Sequence, residues 1–164
     1  MTDEIELTPE PRILIESLRD IGYSFNSALA DIIDNSITAH AREISIFAIP
    51  IEDSFKVAII DNGNGLSRQE LLQAMRLGST NPRQERALGD LGRFGLGMKT
   101  ASFSQCRRLT VLSRQNNETA GFTWDLDTVV KDNSWSVTER TDFDRIFAFD
   151  ELPATGTLVL WEKV

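Results

Sequence analysis

This sequence is poor in the residues that build many common sites. A single cysteine, Cys106, rules out an intrachain disulfide and a cysteine metal cage, and a single histidine, His40, leaves neither a zinc cluster nor a Ser/His/Asp triad to assemble. No run approaches the roughly 18 apolar residues that a membrane-crossing helix needs. The opening MTDEIELTPEP is acidic where a secretory leader is basic and then apolar, so a cytoplasmic setting is the expectation, with no membrane partner. Repeats and low-complexity tracts are absent. Excess positive charge is also lacking: the net charge is −8, which argues against a general nucleic-acid surface, because affinity for a phosphate backbone comes from Lys and Arg. The charge is uneven, however. Residues 68–114 carry nine basic side chains against three acidic ones. A solvated charged surface and an anion-facing segment both remain open as readings of that stretch.

What is present is one domain's worth of chain, 164 residues with 41% hydrophobic content, enough for a single core. Leu14, Leu18 and Ile21 at helical spacing, followed by Gly22, predict a helix over residues 10–21. A second helix is expected from Ser24, its N-cap, to about His40. Two β-rich runs, 42–50 and 55–61, read as a hairpin. Ser67 with Glu70 three residues on forms a capping-box pattern for a short helix ending near Arg76. Residues 78–97 are dense in Gly, Pro, Asn and Arg without apolar periodicity, the composition of a long binding loop or lid, and a helix over 98–105 should follow. The remainder alternates as strands at 107–114, 119–126, 135–140 and 156–162, with a helical turn at 127–131. Trp124, Trp135 and Trp161 fall in those strands and are assigned to core packing. Helices first and strands later predict an α+β two-layer sandwich, a mixed, mostly antiparallel sheet covered on one face by helices.

Three segments carry chemistry. On the second helix Ser27, Asp31, Asn35 and Thr38 share a polar stripe, widened by Asp34, with Leu29, Ile33 and Ile37 on the other side. A carboxylate at one position can polarise a water while an amide oxygen four residues on coordinates Mg²⁺; a solvated helix face is the plainer alternative. Asp61-Asn62-Gly63-Asn64-Gly65 follows an apolar strand and reads first as a hairpin turn, although Asp61 also suits acceptance of a hydrogen bond from an exocyclic amino group, with glycines letting the backbone approach a flat ring. A calcium loop is excluded by Gly63 and Leu72 at ligand positions. Gly92-Arg93-Phe94-Gly95-Leu96-Gly97-Met98-Lys99-Thr100 has Met98 inserted between the last glycine and the lysine, which breaks the P-loop register. What remains is a glycine-rich turn feeding a helix N-terminus, suited to phosphate oxygens or to a flexible loop alone.

The order of these segments resembles the Bergerat-fold ATPases, the superfamily of DNA gyrase, the heat-shock chaperone, histidine kinases and MutL. The stretches IIDNGNGLSRQELLQAMRLGST and LGRFGLGMKTAS look most like the MORC-type and related bacterial ATPases. The resemblance runs from about Ile13 to Val164 and implies ATP and Mg²⁺ as cofactors. It places Asn35 on the magnesium ligand and Asp61 on the adenine-binding aspartate. Gly63 and Gly65 fall on the loop beneath the base, Gly95 and Gly97 on the hinge of the phosphate lid, and Lys99 where relatives present a lysine near the phosphates, with Gly92, Leu96 and Met98 of the same stretch also assigned to nucleotide binding. Thr157 matches the threonine that supports adenine through water. Asp31 falls on the general base, where relatives use glutamate, and its side chain is shorter by roughly one C–C bond, ~1.5 Å. Thr38 replaces an aspartate common in the family. The resemblance further implies an ATP-binding and hydrolysing module within residues 1–164, the N-terminal portion of a larger protein whose second domain is absent here. In that parent, ATP would close the 78–97 lid and drive homodimerisation, with DNA contacts supplied elsewhere. A histidine-kinase catalytic module and a non-hydrolysing ATP-sensing clamp or scaffold stand as alternatives.

Overall fold

The computed structural model describes residues 4–77 and 97–164. Among them the chain forms α1 (Pro11–Arg19), α2 (Phe25–Thr38), the hairpin β1 (Ile44–Ile51) and β2 (Ser54–Asp61), then α3 (Arg68–Met75) and α4 (Gly97–Gln105). A second hairpin, β3 (Arg108–Gln115) and β4 (Glu118–Asp125), leads to α5 (Leu126–Asp132), the two-residue β5 (Thr138–Glu139), two 3-10 turns and β6 (Gly156–Glu162). The expected α+β sandwich is present. Its sheet runs β1-β2-β6-β3-β4-β5, and among the described residues every ladder is antiparallel, without the parallel pair that a mixed sheet implied.

Local chemistry explains the helix starts. Ser24 accepts the Ser27 N–H at 3.1 Å, and Ser67 with Glu70 closes a reciprocal capping box, satisfying donors that a helix leaves unpaired in its first turn. Alternation then divides the sheet into two faces. Val57, Ile59, Leu109, Val111, Phe122, Trp124, Val159 and Trp161 meet Ile15, Ala28, Ile32, Leu71, Met75 and Phe103 of the helices in the main core.

The opposite face is covered in a way the residue pattern did not announce. Ala58, Ile60, Leu112, Leu158 and Leu160 pack under Ile146 and Leu152, with Phe143, Phe147 and Phe149 partly buried around them. The connection before β6 therefore serves as a second cover, pinned where the Arg114 guanidinium lies 5.3 Å from the Phe149 ring and donates to the Leu152 and Pro153 carbonyls.

Two local expectations change. The strand expected over 135–140 shrinks to Thr138–Glu139, because Trp135 leaves the sheet line to make an edge contact with Trp124 at 6.3 Å. On α2 the core line is Ala28, Ile32 and Ser36, which lies between the expected apolar line, where Ile37 is exposed, and the polar stripe. Asn35 thus borders the core instead of pointing directly away from it.

Candidate functional site

Three adjacent central strands end in one row. In register, Asp61 of β2 faces Thr157 of β6, and Thr157 faces Ser113 of β3. Antiparallel pairing thus brings together residues about fifty and a hundred positions apart in sequence, all on the face covered by helices. Over this row lies a cavity of about 580 Å³, a volume suited to a small organic ligand. Ile32, Leu71, Ala74, Val111 and Val159 make its apolar wall, while Asn35, Thr38, Asn64, Gln115, Met98 and Lys99 contribute along its sides.

Asp61 is buried, 6% exposed, and both of its oxygens are held. Oδ1 accepts the Gly63 N–H at 2.9 Å, and Oδ2 accepts the Ser36 hydroxyl at 2.8 Å. These two bonds orient the carboxylate and leave its remaining lone pairs for a donor in the cavity. Ser36 is a functional residue that the sequence pattern does not single out. Its signal was a lone hydroxyl on the Ala28–Ile32 core line, where a small apolar side chain would otherwise be expected. Ser113 is another such residue. It accepts the Leu66 N–H at 2.8 Å, donates to the Gly156 carbonyl at 3.1 Å, and is hydrogen-bonded to the Thr157 hydroxyl 3.0 Å away. Thr157 is therefore fixed at its hydroxyl, next to Asp61.

The turn after Asp61 is shaped by close approach. Asn62 turns its side-chain oxygen back to the N–H groups of Arg42 and Glu43, at 2.8 and 2.9 Å, and the Asn64 N–H reaches the Ala39 carbonyl at 2.8 Å. A Cβ at Gly63 would lie 2.7 Å from that same carbonyl. Gly65 has φ +64 and leaves only 2.2 Å for a Cβ before the Arg114 carbonyl oxygen. Both glycines thus let the loop lie flat against α2 and β3.

Asn35 lines the cavity rim, whereas Asp31, one turn earlier, is not part of the lining. Beside Asp31 stands Tyr23, whose phenol is raised above its ordinary pKa first by burial and then by this carboxylate. Gly97 opens α4, one residue earlier than expected, and Met98 and Lys99 follow on the cavity side. Lys99 is 1% exposed; its ammonium donates to the Ala74 carbonyl at 2.6 Å and to that of Arg76. Burial pushes it down to about 8. It joins the start of α4 to the end of α3, where helix carbonyls lack partners and a cation is favourable. Gly92, Gly95 and Leu96 lie outside the described residues, as does all of the expected 78–97 loop except Gly97. His40 is exposed beyond the end of α2, in a left-handed turn with φ 60.

The donor set suits Mg²⁺ of the hydrated kind. Among the described residues no cluster of three acidic, histidine or cysteine side chains is present, so an all-protein cage is not available there. Asn35 offers a neutral amide oxygen at the rim, which fits a hard cation that keeps several waters and shares a phosphate. Among the described residues no helix is long and apolar enough to cross a membrane.

Comparison with known proteins agrees with this arrangement. The chain is similar to ATPase morc-1 of Caenorhabditis elegans, 29% identical over 90 residues, which cover 55% of this chain and 10% of that protein. It is 34% identical over 92 residues to the chaperone protein HtpG of Paramagnetospirillum magneticum, covering 50% of this chain and 15% of that one. With the DNA mismatch repair protein MutL of Microcystis aeruginosa it shares 28% identity over 120 residues, 72% of this chain and 22% of that one. The matched region is thus a minor part of each of these relatives. The model of the histidine kinase-, DNA gyrase B-, and HSP90-like ATPase family matches residues 23–157, from the turn before α2 to Thr157, and so takes in the whole site. The chain belongs to the histidine kinase-, DNA gyrase B-, and HSP90-like ATPase family.

Proposed function

We propose that this domain binds ATP with Mg²⁺ in the cavity beneath α2 and hydrolyses it, as part of a MORC-like or DNA-repair ATPase. The observation that carries the reading is the buried Asp61, oriented by Ser36 and Gly63 and set directly across the ladder from Thr157. An aspartate held this way accepts the adenine amino group, while Thr157 reaches the ring through a water. The apolar wall of Ile32, Val111 and Val159 receives the faces of the base. Asn35 is the residue that would hold Mg²⁺, and the metal, when bound, neutralises charge building on the phosphate oxygens. The N-terminal turn of α4 presents backbone N–H groups on the phosphate side.

Hydrolysis is assigned to Asp31 acting on a water. Its position outside the cavity lining and its short side chain also favour a second reading, a clamp that binds ATP without efficient turnover. Lid closure by residues 78–97 and ATP-driven homodimerisation rest on the sequence, since that segment apart from Gly97 lies outside the described residues. Calorimetric titration with ATP, with and without Mg²⁺, tests the site. Asn35→Ala is expected to abolish the magnesium-dependent part of binding, and an unchanged magnesium dependence would overturn the assignment.

A further inference from the structure

The two edges of the sheet are built differently. β5 is an edge of two residues, Thr138–Glu139, short and charged. β1, at the other edge, is eight residues long, ISIFAIPI, without a single charged side chain, and among the described residues nothing pairs with its outer side. Edge strands normally carry charge or stay short, because a long apolar edge presents unpaired N–H and C=O groups to any other strand.

The direction of those groups follows from the ladder. The Asn62 N–H reaches the Glu43 carbonyl at 3.3 Å, and Ile51 faces Ser54 across the two-residue turn Glu52–Asp53. Antiparallel bonding alternates, so odd-numbered residues bond to β2, and Ile44, Ile46 and Ala48 point their N–H and C=O groups outward. Pro50, which has no N–H, falls on an outward position, where its missing donor costs the β1–β2 ladder nothing. Ile46 and Phe55 are 46% and 52% exposed on the helix-side face beside this edge, and Ile51 is exposed on the opposite face.

The geometry points to β1 as a self-association edge: it pairs antiparallel with β1 of a second copy about a twofold axis at Phe47, joining two sheets without nucleotide. Outward-pointing residues must meet outward-pointing residues, which allows only registers that match even positions with even positions. The register with Ile46 against Ala48 and Ile44 against Pro50 of the other copy sets apolar against apolar on the helix-side face, with Phe47 against its own counterpart on the other. The same register brings Arg42, in the bend just before β1, toward Glu52, in the hairpin turn just after β1 of the other copy, so opposite charges approach at each end, while Glu43 lies opposite Ile51. Charge complementarity therefore selects a second copy of this chain, even though each copy carries −8 overall.

Sedimentation velocity of the nucleotide-free protein over a concentration series tests this. A concentration-dependent dimer is expected. Ala48→Pro removes an outward N–H while sparing the β2 ladder, and Ile46→Lys places an exposed charge opposite Ala48 of the partner copy. Each is expected to weaken the dimer by about tenfold or more. Arg42→Glu should weaken it too, and Glu52→Arg added to Arg42→Glu should restore it. Circular dichroism melts report whether each variant is folded, and the surface pair Arg42/Glu52 keeps the test decisive if Ala48→Pro unfolds. A nucleotide-free protein that stays monomeric, dimerises only with ATP, or ignores Ile46→Lys and the charge swap overturns the inference.

Discussion

Replacing Asp61 with asparagine inverts one half of the acceptor that the site is built around while preserving shape. In the parent, Oδ1 is taken by the Gly63 N–H and Oδ2 by the Ser36 hydroxyl. Asparagine has one oxygen, and the Gly63 N–H can only donate, so the oxygen stays there and the NH₂ takes the place of Oδ2. Ser36 can turn to accept it, donating instead to the Ile32 carbonyl, which already lies 3.4 Å from its hydroxyl. Both protein partners are thus retained, and the stability change should stay within about 1 kcal/mol. Toward the cavity, however, a donor now faces the adenine amino group, itself a donor. A hydrogen bond to a charged acceptor is worth about 1.5–3 kcal/mol, which corresponds to roughly ten- to 150-fold weaker ATP binding. Isothermal titration of the folded variant with ATP and Mg²⁺ reads this directly. Affinity within about twofold of the parent, with an unchanged melt, would show that Asp61 does not receive the base.

Other expectations follow from the same geometry. Gly65→Ala should lower the urea midpoint by the equivalent of at least about 1 kcal/mol, since it forces a side chain into a left-handed backbone and against the Arg114 carbonyl; an unchanged midpoint refutes the close packing of this turn. For Lys99 the folded state is held near 8 against an ordinary 10.5 by burial, so it binds fewer protons than the unfolded chain between those values. The penalty of burying the charge is fully present below about pH 8 and relieved as pH rises toward 10.5. Parent stability relative to Lys99→Met should therefore climb across that window in denaturant titrations, and a pH-independent difference would refute it. Asp31→Ala should leave ATP affinity nearly unchanged and abolish phosphate release if Asp31 is the base; equal release from parent and variant removes it from that role.

Much of the architecture was legible because it is governed locally. The capping box of Ser67 and Glu70 and the Ser24 cap depend on residues three positions apart, the 42–61 hairpin joins two strands adjacent in sequence through a short turn, and all are present. The failures have a common cause. Alternation marks Trp135 as a strand residue, but its contact with Trp124 depends on a residue eleven positions away, and it draws the chain off the sheet line. The cover over Ile60 and Leu160 was missed because Phe143, Phe147 and Phe149 sit in 3-10 turns and bends without a period of their own.

The division is sharpest at the site. The sequence by itself determined which groups are available: a small-polar helix stripe, an aspartate ending a strand before close-packed glycines, a threonine after Gly156, and an order of motifs shared with a known family. Only the tertiary structure decided their working relations. Antiparallel register placed Asp61, Thr157 and Ser113 in one row, and the burial of α2 along Ala28, Ile32 and Ser36 made an unremarked serine the donor that orients the aspartate. The same packing set Asn35 at the cavity rim and left Asp31 outside its lining. Such outcomes depend on which residues distant in sequence come within a few ångströms of each other, and neither side-chain chemistry nor periodicity encodes that distance one residue at a time.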